Sequence, residues 1–166
     1  MLIPAKLVEP ELAEAWREAC LRDLDRLRWY RLSAGATWVR EPHQNGDWSA
    51  IARASVSMVD GKPKVLGYCR ASMDRECNIV TQLGAWSAAP SVTYARDLRR
   101  FCDNLLDRVR LVRFTCAIDN PAAKSWRKWV LANGGVQLCV LEAYGTTEDG
   151  KVVDVYHFQV PGRGRK

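Results

Sequence analysis

The residues with the most chemical potential in this 166-residue chain are cations. Arg96, Arg99, Arg100, Arg108, Arg110 and Arg113 form its densest basic run. Arg96, Arg99 and Arg100 recur at three- and four-residue spacing, so they share one face if the segment is helical. Such a face suits phosphate groups, whether of a nucleic acid or of a cofactor, and is otherwise a solvated helix surface. No nucleic-acid-binding motif accompanies it, so base-specific reading is not expected. A metal centre is not expected either. Cys20, Cys69, Cys77, Cys102, Cys116 and Cys139 contain no C-x-x-C pair, and His43 and His157 lie far apart. Cys116 and Cys139 fall within apolar runs and read as small core residues.

These side chains need elements to hold them. Met1–Leu7 reads as a short strand. Pro10, flanked by Glu9 and Glu11, opens a helix, and Leu12, Trp16, Cys20, Leu24 and Leu27 carry its apolar stripe towards Arg31. Arg40–Asp47 reads as a loop. Ala50–Val59 and Val65–Ala71 flank Asp60-Gly61, a hairpin signal, and Cys77–Leu83 makes a third strand. Tyr94, Ala95, Leu98, Phe101, Cys102, Leu105 and Val109 mark an amphipathic helix, and Val112–Ile118 alternates as a strand. Asn120-Pro121 suits a helix start, with Asn at the cap and Pro at the first position, and Ala123, Trp126 and Val130 should face inward. Asn133-Gly134-Gly135 ends that helix. Val136–Tyr144 and Val152–Val160 are strands joined by the turn 147–150.

The totals fit one domain over residues 1–160 with a basic, flexible tail over 161–166. Charged residues make up 27% and apolar residues 48%, a balance that argues against disorder. No apolar run approaches the ~20 residues that span a bilayer, and no secretory signal is visible. The expected location is therefore cytoplasmic or a particle interior, not secreted, with reduced thiols. The net charge of +6 favours acidic partners. Of the seven tryptophans, Trp16 and Trp126 read as core. Trp29, Trp38, Trp48, Trp86 and Trp129 would mark a protein interface if exposed.

The element order, with Asn120-Pro121-Ala122-Ala123 opening a helix that Gly134 or Gly135 closes before a last hairpin, resembles the acyl-CoA N-acyltransferase (GNAT) superfamily. Leu111–Val160 carries the likeness. The resemblance implies an α/β (α+β) fold with a mixed central sheet of six to seven strands and about four helices. Within the superfamily the chain is most similar to the small GNAT-like internal virion proteins of short-tailed phages. The superfamily holds the cofactor pyrophosphate on a Gly-rich strand-to-helix turn. Here that place is 83–91, with one glycine, no basic residue, and Pro90, which has no N–H. The resemblance leaves Asn120, Ser87, Ser91 and Arg96 as cofactor-side residues, with Asn120 equally a plain helix cap. Arg127 stands where the usual Tyr or Ser acid would be, and Ser125 is close but off register. Glu142 or Glu76 could take a proton from a substrate amine if desolvated on a strand; each could equally be an exposed strand carboxylate. Two functions follow. One is a phage virion or assembly protein, lacking an intact acetyl-CoA cradle, whose partners are other virion proteins or nucleic acid through Arg96, Arg99 and Arg100. The other is an active acetyl-CoA-dependent N-acyltransferase. No membrane partner is expected.

Overall fold

A computed structural model describes residues 1–22, 50–87, 89–146 and 151–164. Strand β1 (Leu2–Pro4) and a 3-10 turn (Ala5–Leu7) precede helix α1 (Pro10–Leu21). Strands β2 (Ala50–Val59), β3 (Lys62–Asp74) and β4 (Ile79–Ser87) follow. Then come α2 (Val92–Leu106), β5 (Leu111–Ala117), α3 (Ala123–Ala132), β6 (Val136–Thr146) and β7 (Val152–Pro161). The seven strands form one mixed sheet in the order β1-β2-β3-β4-β5-β7-β6. This is the α/β class expected, with three α-helices among the described residues rather than about four. The extension of α1 towards Arg31, the loop 40–47, the turn 147–150 and Trp29, Trp38 and Trp48 lie outside those residues.

Local chemistry explains the meander. Asp60 and Gly61 both take positive φ, 52° and 74°, the geometry of a two-residue primed turn whose twist matches the flanking strands. Cys77, expected to begin a strand, sits instead in the turn between β3 and β4, where its N–H donates to Asp74 Oδ1 at 3.0 Å. That bond closes a local Asx-type turn and delays the strand to Ile79.

The helices cover both faces of the sheet. α1 buries Ala13, Trp16 and Cys20 with Ala54, Val65, Tyr68 and Trp86. Trp16 meets the Tyr68 ring edge-on at 4.6 Å. On the other face, Phe101, Cys102, Leu105 and Leu106 of α2 and Ala123 and Val130 of α3 pack against Val80, Val112, Phe114, Phe158 and Val160. Trp86 is 2% exposed, so it belongs to the core and marks no interface. Trp126 and Trp129 are half-buried against Phe114, with ring centroids 5.1 and 6.3 Å away. Cys116 is buried as expected. Cys139, on the edge strand β6, is exposed, because an apolar run on an edge strand is covered from one side only.

Two polar contacts lock α2 to the meander. Asp97, 5% exposed, accepts from the Ser55 hydroxyl at 2.7 Å and from the Met1 amino group at 3.2 Å. A buried carboxylate needs such donors to offset its desolvation. At the other end of the chain, Pro161–Gly164, which composition reads as a free tail, is bound back onto α2. The amides of Arg163 and Gly164 donate to the Leu106 carbonyl, and the Arg163 guanidinium reaches Asp107 at 2.9 Å.

Candidate functional site

The site begins with a gap in the sheet. β4 and β5 run parallel, but they pair only at Ile79–Leu111 and Val80–Val112. Beyond those two positions the remaining residues of each strand have no register with the other, so the sheet opens at its carboxyl end. Helices α2 and α3 both begin at this end, because each follows one of the parting strands. The carboxyl ends of diverging parallel strands are where α/β sheets characteristically take ligands, since helix N-termini and loose backbone converge there.

Three features fix the start of α2. Ser91 caps it, its Oγ accepting from the Tyr94 N–H at 3.1 Å. The amides of Val92 and Thr93 belong to the first turn and have no intrahelical acceptor. The Tyr94 ring lies against Gly67 of β3, where a Cβ would come within 2.5 Å of the ring carbon. Only glycine permits that approach, and it lets Tyr94 Oη donate to the Tyr68 carbonyl at 2.6 Å.

Asn120 sets the start of α3, though not as the helix cap expected from its sequence. Its Oδ1 accepts from the Ala122 N–H at 2.8 Å and its carbonyl accepts from the Ala123 N–H at 2.9 Å. Ala122 is the residue that caps the helix, so Asn120-Pro121 forms a tight turn ahead of the first helical residue, Ala123. The reason is local: the Asn side chain satisfies the amide two residues on, an Asx turn that competes with direct capping. At the far end, Gly134 takes φ 70° and stops the helix as its sequence predicts.

Between α2 and α3 lies a groove of about 440 Å³. Ala95, Leu98 and Cys102 form one wall, and Ala122, Trp126 and Trp129 the other. Arg99 and Lys128 stand at its lips and Ser125 also lines it. The Trp129 Nε1–H is buried and, among the described residues, has no acceptor. Burial pushes the Cys102 thiol well above its ordinary range and the Cys116 thiol, on β5, up to about 12. Both stay neutral at physiological pH, and neither is an activated nucleophile.

The predicted site residues do not form one cluster. Ser125 lines the groove and Ser91 caps α2 at the open end. Ser87 closes β4, paired with Gly67. Arg96 is exposed on α2 and does not line the groove. Glu76 is exposed in the β3–β4 turn rather than on a strand. Glu142 is exposed on β6, separated from β5 by β7, and is not part of the groove. It belongs to a bulge in which Glu142, Ala143 and Tyr144 oppose the single Asp154. There Ala143 takes φ 48° and donates to Asp154 Oδ1 at 2.9 Å. Sequence reasoning missed Ala95, Ala122 and Trp129 as groove walls. Their only signal is small and aromatic residues on two helices that the sheet order makes neighbours.

No family model matches the chain, and no curated protein matches it. Solved structures do. A probable acetyltransferase aligns with a TM-score of 0.68 at 18% identity, over 98% of this chain and 92% of its own. Spermidine N-acetyltransferase from Vibrio cholerae, solved in complex with CoA and spermine, gives 0.67 at 11% identity, covering 98% and 95%. Mycobacterium smegmatis RimJ in complex with CoA-disulfide gives 0.65 at 16%, covering 96% and 80%. At these identities the likeness speaks for architecture alone. The chain therefore has the mixed α/β fold of the GNAT acetyltransferases, the fold that its stretch Leu111–Val160 resembles in sequence.

Proposed function

We propose that the chain binds a coenzyme A thioester, with the pantetheine arm in the α2–α3 groove and the acyl group at the opening between β4 and β5. The observation that carries this reading is the two-position pairing of β4 with β5, which leaves backbone free at the end where both helices start. The residues present suit such a ligand. The groove wall is apolar, and the first amides of α2 would hold a pyrophosphate at the favourable end of the helix dipole. When bound, the thioester supplies an acyl carbon open to attack by an amine. The amine nitrogen bonds to that carbon, the C–S bond breaks, the amine loses a proton and the thiolate gains one. Ser125 is the hydroxyl of the groove that can hand a proton to the sulfur. Glu142, exposed on β6 beyond β7, does not line the groove and takes no part in this step.

A second reading has its own observation. Gly84, the one glycine of the expected cradle, lies inside β4 with Trp86 packed over it, and Pro90 withholds an amide from the turn. That favours a scaffold which keeps the fold and serves in a virion or in assembly, against other virion proteins. A thiol-release assay with acetyl-CoA and a panel of primary amines separates the two. Amine-dependent release, lost in Ser125→Ala, supports transfer. Cosedimentation with phage particles, without release on any amine, supports assembly.

A further inference from the structure

The outer surface of the two groove helices is more basic than a cofactor requires. Arg96, Arg99 and Arg100 project from α2, and Lys124, Arg127 and Lys128 from α3, all exposed. α3 contains no acidic residue. Among the described residues only Arg99 of these six has an ion-pair partner, Asp103 at a long 3.8 Å. One of the cations, Lys124, also stands where helix physics disfavours it. α2 and α3 start at the same end of the sheet, neither has an acidic residue in its first turn, and Lys124 lies in the first turn of α3. Positive side chains near a helix N-terminus oppose the macrodipole and lower stability. Two such ends side by side build a strong positive potential, which a polyanion would relieve.

The arrangement splits by role. Arg99 and Lys128 line the groove, within reach of a bound cofactor. Arg96 and Arg100 on α2 and Lys124 and Arg127 on α3 do not line it. We infer that the outward face of α2 and α3 binds the phosphodiester backbone of a nucleic acid, without reading its bases, across both helices at once. Backbone contacts from cations alone position a strand but carry no sequence information. This surface is independent of thioester binding, because four of its cations lie outside the groove.

The test is fluorescence anisotropy of the full chain with a labelled 20-base-pair DNA duplex, and with the matching RNA duplex, over a salt series. The four cations outside the groove, Arg96, Arg100, Lys124 and Arg127, predict that the logarithm of affinity falls with the logarithm of salt at a slope of about −3.5 for DNA. Lys124→Gln with Arg127→Gln should flatten that slope by about 2, roughly one per lost phosphate contact, while acetyl-CoA binding is unchanged. Affinity of the same order for the RNA duplex is expected of backbone recognition. A slope shallower than about −1, an unaltered slope in the double variant, or binding to polyglutamate with none to either duplex would each overturn the proposal. Unfolding curves for the double variant should match the parent or shift slightly towards higher stability, since both side chains are exposed and Lys124 opposes the dipole of α3.

Discussion

Tyr94 Oη donates to the backbone carbonyl of Tyr68 at 2.6 Å, tying the first turn of α2 to the middle of β3. The bond sets where the start of α2 sits relative to the opening of the sheet. It exists because Gly67 leaves room for the Tyr94 ring. Tyr94→Phe should destabilise the protein by about 1 kcal/mol, the net worth of one hydrogen bond whose partner is buried. Gly67→Ala should cost about 1–3 kcal/mol, because the new methyl must displace the ring or bend β3. Denaturant unfolding of both variants checks this. A Gly67→Ala protein as stable as the parent would show that the ring has another place to go.

The Asp97–Ser55 contact joins α2 to β2 across the core. Ser55→Ala should cost about 2 kcal/mol, since it removes a donor from a buried carboxylate. Asp97→Asn keeps the shape but loses the attraction of the Met1 amino group. Chemical denaturation gives both values. A change under about 0.5 kcal/mol for Ser55→Ala would mean that the hydroxyl is replaced without loss.

The thiols divide by burial. Cys20, Cys69, Cys102 and Cys116 are buried, and Cys77 and Cys139 are exposed. A disulfide-exchange reagent at pH 8 should titrate two thiols quickly in the native protein and six after unfolding. Burial raises the folded-state values of Cys69, Cys102 and Cys116, the last to about 12. Below pH ~8.5 the unfolded thiols are protonated too, and the contribution is at its full value. As pH rises from there towards 12, the unfolded chain releases protons that the folded one retains, so stability falls. Each such thiol contributes a slope of about 1.4 kcal/mol per pH unit over that window. Stability measured from pH 8 to pH 11 should drop steadily, and a flat profile would contradict the burial of these side chains.

Much of the fold was legible in the sequence, and the reasons are local. Asp60-Gly61 could only be a tight hairpin, Pro10 with Glu11 a helix start, and Gly134 a helix stop, because each residue's own backbone preference decides the matter. The alternation of Val112, Phe114 and Cys116 revealed β5 through burial on one face. Asn120 escaped for a local reason, since its side chain closes a turn on the Ala122 amide ahead of α3 instead of capping the helix. The rest of what escaped was set by distant partners. Cys139 looked like core because its run is apolar, and only the sheet order puts it on an edge. The groove was invisible because Ala95 and Ala122 become neighbours only when β4 and β5 lie side by side. Glu142 reads as a carboxylate on a strand, but the strand is two places from β5 and the residue sits in a bulge.

The bulge itself is testable. Ala143 holds a left-handed backbone stabilised by Asp154. Ala143→Gly should be neutral or stabilising by up to about 1 kcal/mol, since glycine adopts that conformation without strain. Asp154→Ala should loosen the bulge and raise amide exchange at residues 142–144. Unchanged exchange there would remove Asp154 from the account of the bulge.

The central claim is that the groove between α2 and α3 holds a coenzyme A thioester, and calorimetric titration with acetyl-CoA tests it most directly. The parent protein should bind one equivalent with micromolar affinity. Ala95→Trp, which fills the groove from the exposed side of α2, should bind at least tenfold more weakly while unfolding at a similar denaturant concentration. No heat with the parent protein at millimolar acetyl-CoA, or equal affinity in the filled variant, would contradict it.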